Sequence, residues 1–126
     1  MNRSTRPAFP RRAPEPSCVE RYAAAGWWTS ETLGELLARA AASCPAGEAI
    51  TDERGTWTYT ELAASARAVA AGLAAMGVRA GDVVLWQVPN RREVVSLLAA
   101  CWQIGAVPAP VVELYRESEL RQIITA

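Results

Sequence analysis

The sequence predicts an α/β fold in which a small hairpin and a parallel βαβ unit are packed by helices. Three observations carry this. Thr32 with Glu35, and Thr58 with Glu61, each stand at the head of a stretch with apolar residues at helical spacing. In such a pair the threonine hydroxyl and the glutamate side chain each satisfy a backbone amide that the first helical turn leaves free. "DVVLWQV", residues 82–88, is mostly apolar without alternation, as in a strand buried on both faces of a parallel sheet. A helix-period run and the strand-like "AVPAPVV" follow it, the order of a right-handed crossover unit.

In chain order, residues 1–18 are rich in proline and arginine and show no periodicity, which predicts a disordered tail, and residues 19–126 form the folded part. "VERYAAAGWW" predicts a short helix closed by Gly26. "TLGELLARAAASC" predicts a helix with Leu33, Leu36, Leu37 and Ala40 on its buried face, ended by Pro45 and Gly47. "EAITD" and "TWTYT" around "ERG" predict a hairpin. The helix after Thr58 should bury Leu62, Ala66, Val69, Leu73 and Met76, with Gly77 as its C-terminal cap. In the crossover unit, Asn90 is expected to cap a helix from Arg91 to Ile104 that buries Val94, Leu97, Leu98, Cys101 and Ile104 and stops at Gly105. Arg91 and Arg92 are expected to sit in water. Pro108 and Pro110 limit the second strand because they donate no ladder hydrogen bonds. "ESELRQIITA" begins another helix, and a doubly wound sheet needs more parallel strands than these, so the fold is expected to continue past Ala126. The five tryptophans, Trp27, Trp28, Trp57, Trp86 and Trp102, are expected mainly in the core, with the Trp27–Trp28 pair as a docking element.

The composition narrows the chemistry. The formal net charge is zero, which argues against nucleic acid as a main partner. All 13 basic residues are arginine, and histidine is absent. Arginine clamps anions but is a poor base, so the commonest general bases and the usual phosphate-gripping lysine are missing. Cys18, Cys44 and Cys101 are too widely spaced for a disulfide framework or a zinc site, which predicts no metal and a reducing, cytoplasmic setting. No stretch approaches the ~20 apolar residues of a membrane-spanning helix. No G-x-G-x-x-G follows a strand, so a dinucleotide-binding module is disfavoured.

From "TLGELL" through "TYTEL", "AAGLAAMGVRAGDVVLWQVPN" and "IGAVPAP", in that order, the chain resembles the N-terminal segment of the adenylate-forming superfamily. The resemblance covers roughly residues 19–126. It implies an incomplete N-terminal part of an adenylate-forming fold. "RYAAAGWW" and "LYRESELRQII" are similar to acyl-CoA ligases of cyclic, aromatic or medium-chain acids, and also to aryl-acid AMP ligases.

The resemblance implies a fragment of an acyl-CoA synthetase, inactive alone, with an aryl-acid AMP ligase fragment as the alternative. It implies ATP, Mg²⁺ and coenzyme A for the complete enzyme, a small carboxylic acid as substrate, and the remainder of the synthetase chain as partner. The family's nucleotide-handling motifs, including Pro-Lys-Gly, are absent from this lysine-free chain, so no catalytic or cofactor-binding residue carries over. Pro89, Asn90 and Arg91 follow a strand where ligands often bind, but helix capping accounts for them. The ligand-contact candidates are Glu113, Tyr115 and Arg116, in the loop after the second parallel strand, the favoured side of an α/β sheet. A stand-alone α/β interaction module is the reading from a different class.

Overall fold

The computed structural model describes residues 14–125. The chain divides into two units between Ser30 and Glu31. The first unit holds α1 (Pro16–Ala24), which starts within the span expected to be tail. Proline is favoured in a first helical turn, where its missing N–H would have no partner anyway. The rest of the expected tail, residues 1–13, lies outside the described residues. After α1, Gly26 takes φ 70° and the amides of Trp27 and Trp28 both donate to the Tyr22 carbonyl. Trp27 stacks at 5.8 Å on Tyr22 yet is 77% exposed.

The second unit is built from α2 (Leu33–Ser43), β1 (Glu48–Asp52), β2 (Gly55–Thr58), α3 (Tyr59–Ala75), β3 (Val83–Trp86), α4 (Arg92–Ile104), β4 (Val107–Pro110) and α5 (Glu117–Thr125). β1 and β2 form the expected antiparallel hairpin, with Ile50 opposite Trp57 and Asp52 opposite Gly55. β3 and β4 pair in parallel, with Val83 opposite Val107 and Trp86 opposite Pro110. The predicted fold class is the observed one.

Both predicted capping boxes are present. Thr32 Oγ1 accepts from the Glu35 amide, and Glu35 Oε2 accepts from the Thr32 amide at 2.7 Å. Thr58 and Glu61 repeat the arrangement at the head of α3. At the other end of α3, Gly77 at φ 89° lets the Val78 amide reach the Leu73 carbonyl and its own amide reach Ala74. That left-handed turn closes the helix.

The core lies where α3 and α4 pack on one face of the parallel pair. Ala70, Leu73, Trp86, Ala100, Cys101 and Ala106 form its buried cluster, with Val84, Val94, Leu97, Leu98 and Ile104 packed against it. Alanines at the α3–α4 contact let the helices approach closely, and Ser65 and Ser96 share a 2.8 Å hydrogen bond across it. This modifies the expected burial. On α4 the fully enclosed residues are Ser96, Ala99, Ala100 and Cys101, with the larger apolar side chains at the margin. Met76, expected inside, is 75% exposed because it is already the C-cap of α3. On α2, Leu33 and Leu36 are exposed, and Gly34, Leu37, Ala40 and Ala41 turn inward. A Cβ at Gly34 would lie 3.5 Å from the Trp102 carbonyl oxygen, an ordinary van der Waals contact, so α2 crosses α4 closely here with room for no more than a small side chain. Of the tryptophans, only Trp86 is buried; Trp57 and Trp102 are half-buried, and Trp27 and Trp28 are exposed.

Candidate functional site

The turn after β3, Val88 to Arg91, stands between two shallow clefts. One, of about 470 Å³, is lined by Thr51, Asp52, Glu53, Pro89, Asn90 and Arg91. The other, of about 480 Å³, lies at the carboxyl ends of β3 and β4, between Trp86, Val94 and the stretch from Pro110 to Glu113.

The first cleft is organised by an ion pair that sequence reading missed. Arg92, expected in water, is 8% exposed. Its Nε donates to Asp52 Oδ2 at 3.0 Å, and its Nη2 lies 2.6 Å from Asp52 Oδ1. The Nη2 contact is an ion pair with poor hydrogen-bond alignment, so the directed bond is the one from Nε. The guanidinium carbon lies 5.2 Å from the centre of the Trp57 ring, within cation–π range. The Arg92 amide also donates to Asp52 Oδ2, at 3.3 Å. Asp52 thus supplies the carboxylate for the first turn of α4 from a different strand.

Asn90, the expected cap, does not act as one: the N-cap position is Arg91, and its side chain makes no capping bond. A second pair, Arg54 Nη1 to Glu93 Oε1 at 2.9 Å, ties the hairpin turn to the same helix. The Arg92 hydrogen bond, helped by the Arg54 and Arg92 amides, holds the Asp52 carboxyl below its ordinary value of 3.8. A carboxylate held in this way is a fixed charge and a poor proton shuttle.

The second cleft has a braced wall. The Gln87 side-chain amide donates to the Val112 carbonyl at 2.8 Å and to the Tyr115 carbonyl at 2.9 Å. One residue past β3 therefore fixes the path of the chain leaving β4. The Tyr115 amide closes a turn onto Val112, and the Arg116 amide donates to Glu119 Oε2 in the first turn of α5. Hydrogen bonds from this turn hold the Glu119 carboxyl below its usual range.

The three ligand-contact candidates are therefore separated. Glu113 lines the cleft, whereas Tyr115 and Arg116 do not, and their backbones serve the turn and the start of α5. Burial pushes the Cys101 thiol up, away from nucleophilic use. Among the described residues, no three metal-ligating side chains gather. The clefts offer hydrogen-bonding surface and fixed charge.

With this geometry in place, the relatives are informative. The family model of AMP-binding enzymes matches residues 37–126. The 2-hydroxy-7-methoxy-5-methyl-1-naphthoate–CoA ligase of Streptomyces carzinostaticus is 37% identical over 105 residues, 83% of this chain and 19% of that ligase. The 2,3-dihydroxybenzoate-AMP ligase of Bacillus subtilis is 36% identical over 102 residues, 81% of this chain and 19% of that protein. The apo structure of Mycobacterium smegmatis MbtA superposes with a TM-score of 0.80 at 36% identity, covering 90% of this chain and 22% of that one. The chain spans about a fifth of the length of the curated relatives it matches. The family match over residues 37–126, and relatives more than 30% identical over about four-fifths of the chain, place this chain in the AMP-binding enzyme family.

Proposed function

We propose that the chain serves as the N-terminal scaffold of an ATP-dependent carboxylic acid–thiol ligase that works through an acyl-adenylate, with an aromatic acid as the substrate class. The observation that carries this reading is the AMP-binding match over residues 37–126, made with relatives whose acids are a naphthoate and a dihydroxybenzoate. Those relatives support an aryl acid over a straight-chain fatty acid. Coenzyme A as the thiol acceptor is supported by the naphthoate–CoA ligase. ATP and Mg²⁺ belong to the complete enzyme in this reading, and the family's Pro-Lys-Gly motif has no counterpart in this lysine-free chain. The three free cysteines support a cytoplasmic setting.

In this role the chain makes no bond to the reacting atoms. It supplies a parallel strand pair, helices that cover one face, and the ion-paired corner that fixes the hairpin on α4. The test is a domain exchange. This chain replaces the matched segment of the Bacillus subtilis 2,3-dihydroxybenzoate-AMP ligase, and acid-dependent ATP–pyrophosphate exchange is measured. The expected result is exchange by the chimera with aryl acids and none by the isolated chain. Exchange by the isolated chain, or a folded chimera without exchange, overturns the reading.

A further inference from the structure

The β1–β2 hairpin is fixed differently at its two ends. At its base the Tyr59 amide donates to the Gly47 carbonyl at 3.0 Å, and the Thr60 hydroxyl donates to the Pro45 carbonyl at 2.9 Å. These bonds join the base to the capped start of α3, into which the chain runs directly from β2. At its tip the ties are ionic. Asp52, opposite Gly55 on the last rung, holds Arg92, and Arg54 in the turn holds Glu93. The second pair is half-exposed on both sides, so it contributes little by itself.

Between base and tip the hairpin has little apolar hold. The enclosed residues of the core begin at Leu62, and none of residues 48–58 is among them. Among the described residues, β1 and β2 pair with each other and with no third strand. A two-stranded hairpin is marginally stable alone. The Thr51 and Thr56 hydroxyls share a 2.8 Å hydrogen bond across it, which ties the two strands to each other.

What the tip holds matters to both clefts. Asp52 is the acceptor for the Arg92 amide, and Arg91, the N-cap of α4, offers no side-chain bond in its place. The turn leading into α4 carries Pro89 and Asn90, and each of them lines both clefts. When the tip lets go, the first turn of α4 loses its acceptor and the shared wall loses its anchor.

We propose that the hairpin is a clasp, hinged at its base and fastened at its tip. It opens as a unit while the α3–α4 core stays folded, and its release loosens the Val88–Arg91 turn and with it both clefts. Polar, weakly packed segments are where such openings occur at free energies below that of global unfolding.

Native-state amide hydrogen exchange of the full chain tests the clasp. The reporters are the Arg92 amide on Asp52, the Val94 amide on the Arg91 carbonyl, and, in the core, the Ala106 amide on the Cys101 carbonyl. Relative to their intrinsic rates, Arg92 and Val94 are expected to exchange about tenfold or more faster than Ala106. Fraying of the helix end alone would give the same difference, so the deciding variant acts from within the hairpin. Gly55 has φ 115°, and a Cβ there would meet nothing within 4 Å, so Gly55→Ala strains only the backbone of the hairpin turn. It is expected to speed Arg92 and Val94 about threefold or more and leave Ala106 unchanged. The methyl resonances of Val88, in the second cleft, are expected to shift with them. Should Gly55→Ala fail to fold, Arg54→Ala, which removes the exposed tip pair, is read in the same way, with about a twofold effect expected. Unchanged Arg92 and Val94 rates in the folded variant overturn the clasp. So does a wild-type chain in which all three amides exchange in step, as in a single cooperative unit.

Discussion

The starts of α3 and α4 solve one problem in two ways. Each helix leaves amides without partners in its first turn. At α3, Thr58 and Glu61 satisfy them from within four consecutive residues. At α4, Asp52, which lies 40 residues earlier in the chain, reaches the Arg92 amide while gripping the Arg92 guanidinium. The local cap can form with the helix itself. The distant one exists only once the hairpin has docked, so it reports tertiary structure. It also converts an unfavourable placement, a cation in the first turn of a helix, into the link that holds two elements together.

If that contrast is right, breaking the distant cap has the larger consequence. Arg92→Ala leaves Asp52 without its partner and is expected to lower Tm more than any single substitution in a local cap. Scanning calorimetry of the full chain checks this. Pairing Arg92→Met with Asp52→Ala is expected to recover part of the loss, because a half-buried charge left unpaired costs more than an absent pair.

Thr58→Ala is expected to cost about 1 kcal/mol, the usual value of an N-cap side chain, read from urea melts. Gln87→Ala is expected to cost about 1 kcal/mol, since two carbonyls lose their donor but can turn to water. Faster amide exchange around residues 112–116 would localise that effect. Asn90→Ala is expected to stay within about 0.5 kcal/mol, as at a surface position that caps nothing. A loss at Asn90 equal to that at Thr58 would break the comparison.

Acid sharpens it further. The folded-state value of Asp52 lies below its ordinary 3.8, so its ionised form is favoured by folding. A carboxylate shifted down contributes stability that is fully present above its unfolded value and is lost as pH falls through the folded one. Stability of the wild-type chain is therefore expected to decline as pH drops below that ordinary value. Asp52→Asn should flatten part of that decline. The remainder belongs to Glu31, Glu35, Glu61 and Glu119, which are lowered by hydrogen bonds of their own. Equilibrium unfolding across that pH range measures both.

The parts that were legible in the sequence share a physical character. Thr32–Glu35 and Thr58–Glu61 are contacts between near neighbours, so residue type and spacing suffice to read them. Gly77 and Gly105 sit at φ 89° and 70°, where side chains are strained, and they mark helix ends without reference to the rest of the molecule. "DVVLWQV" and "AVPAPVV" read as a parallel pair because they lack alternation, and they do pair in parallel, but the burial on both faces expected of the pair is met on one face only. Its second face remains open at Val83 and Val107.

The candidate site was less legible. Asn90 has the right type for a cap but stands one residue before the N-cap, Arg91, and the Arg92 amide donates to the Asp52 carboxylate instead. Arg92 looked solvated because nothing near it in sequence is its counter-ion. Of Glu113, Tyr115 and Arg116, only Glu113 reaches the cleft, because the Gln87 side chain determines how the loop turns.

The sequence by itself determined the helices with their local caps, the glycine stops, the parallel strand pair, and a chemistry without histidine or lysine. Each depends on backbone preferences and on groups a few residues apart. The tertiary structure alone decided which face of α2 packs inward, which arginine is buried, and which carboxylate caps α4. Those outcomes depend on groups far apart in the chain, whose meeting is settled by packing and by the loss of water around them.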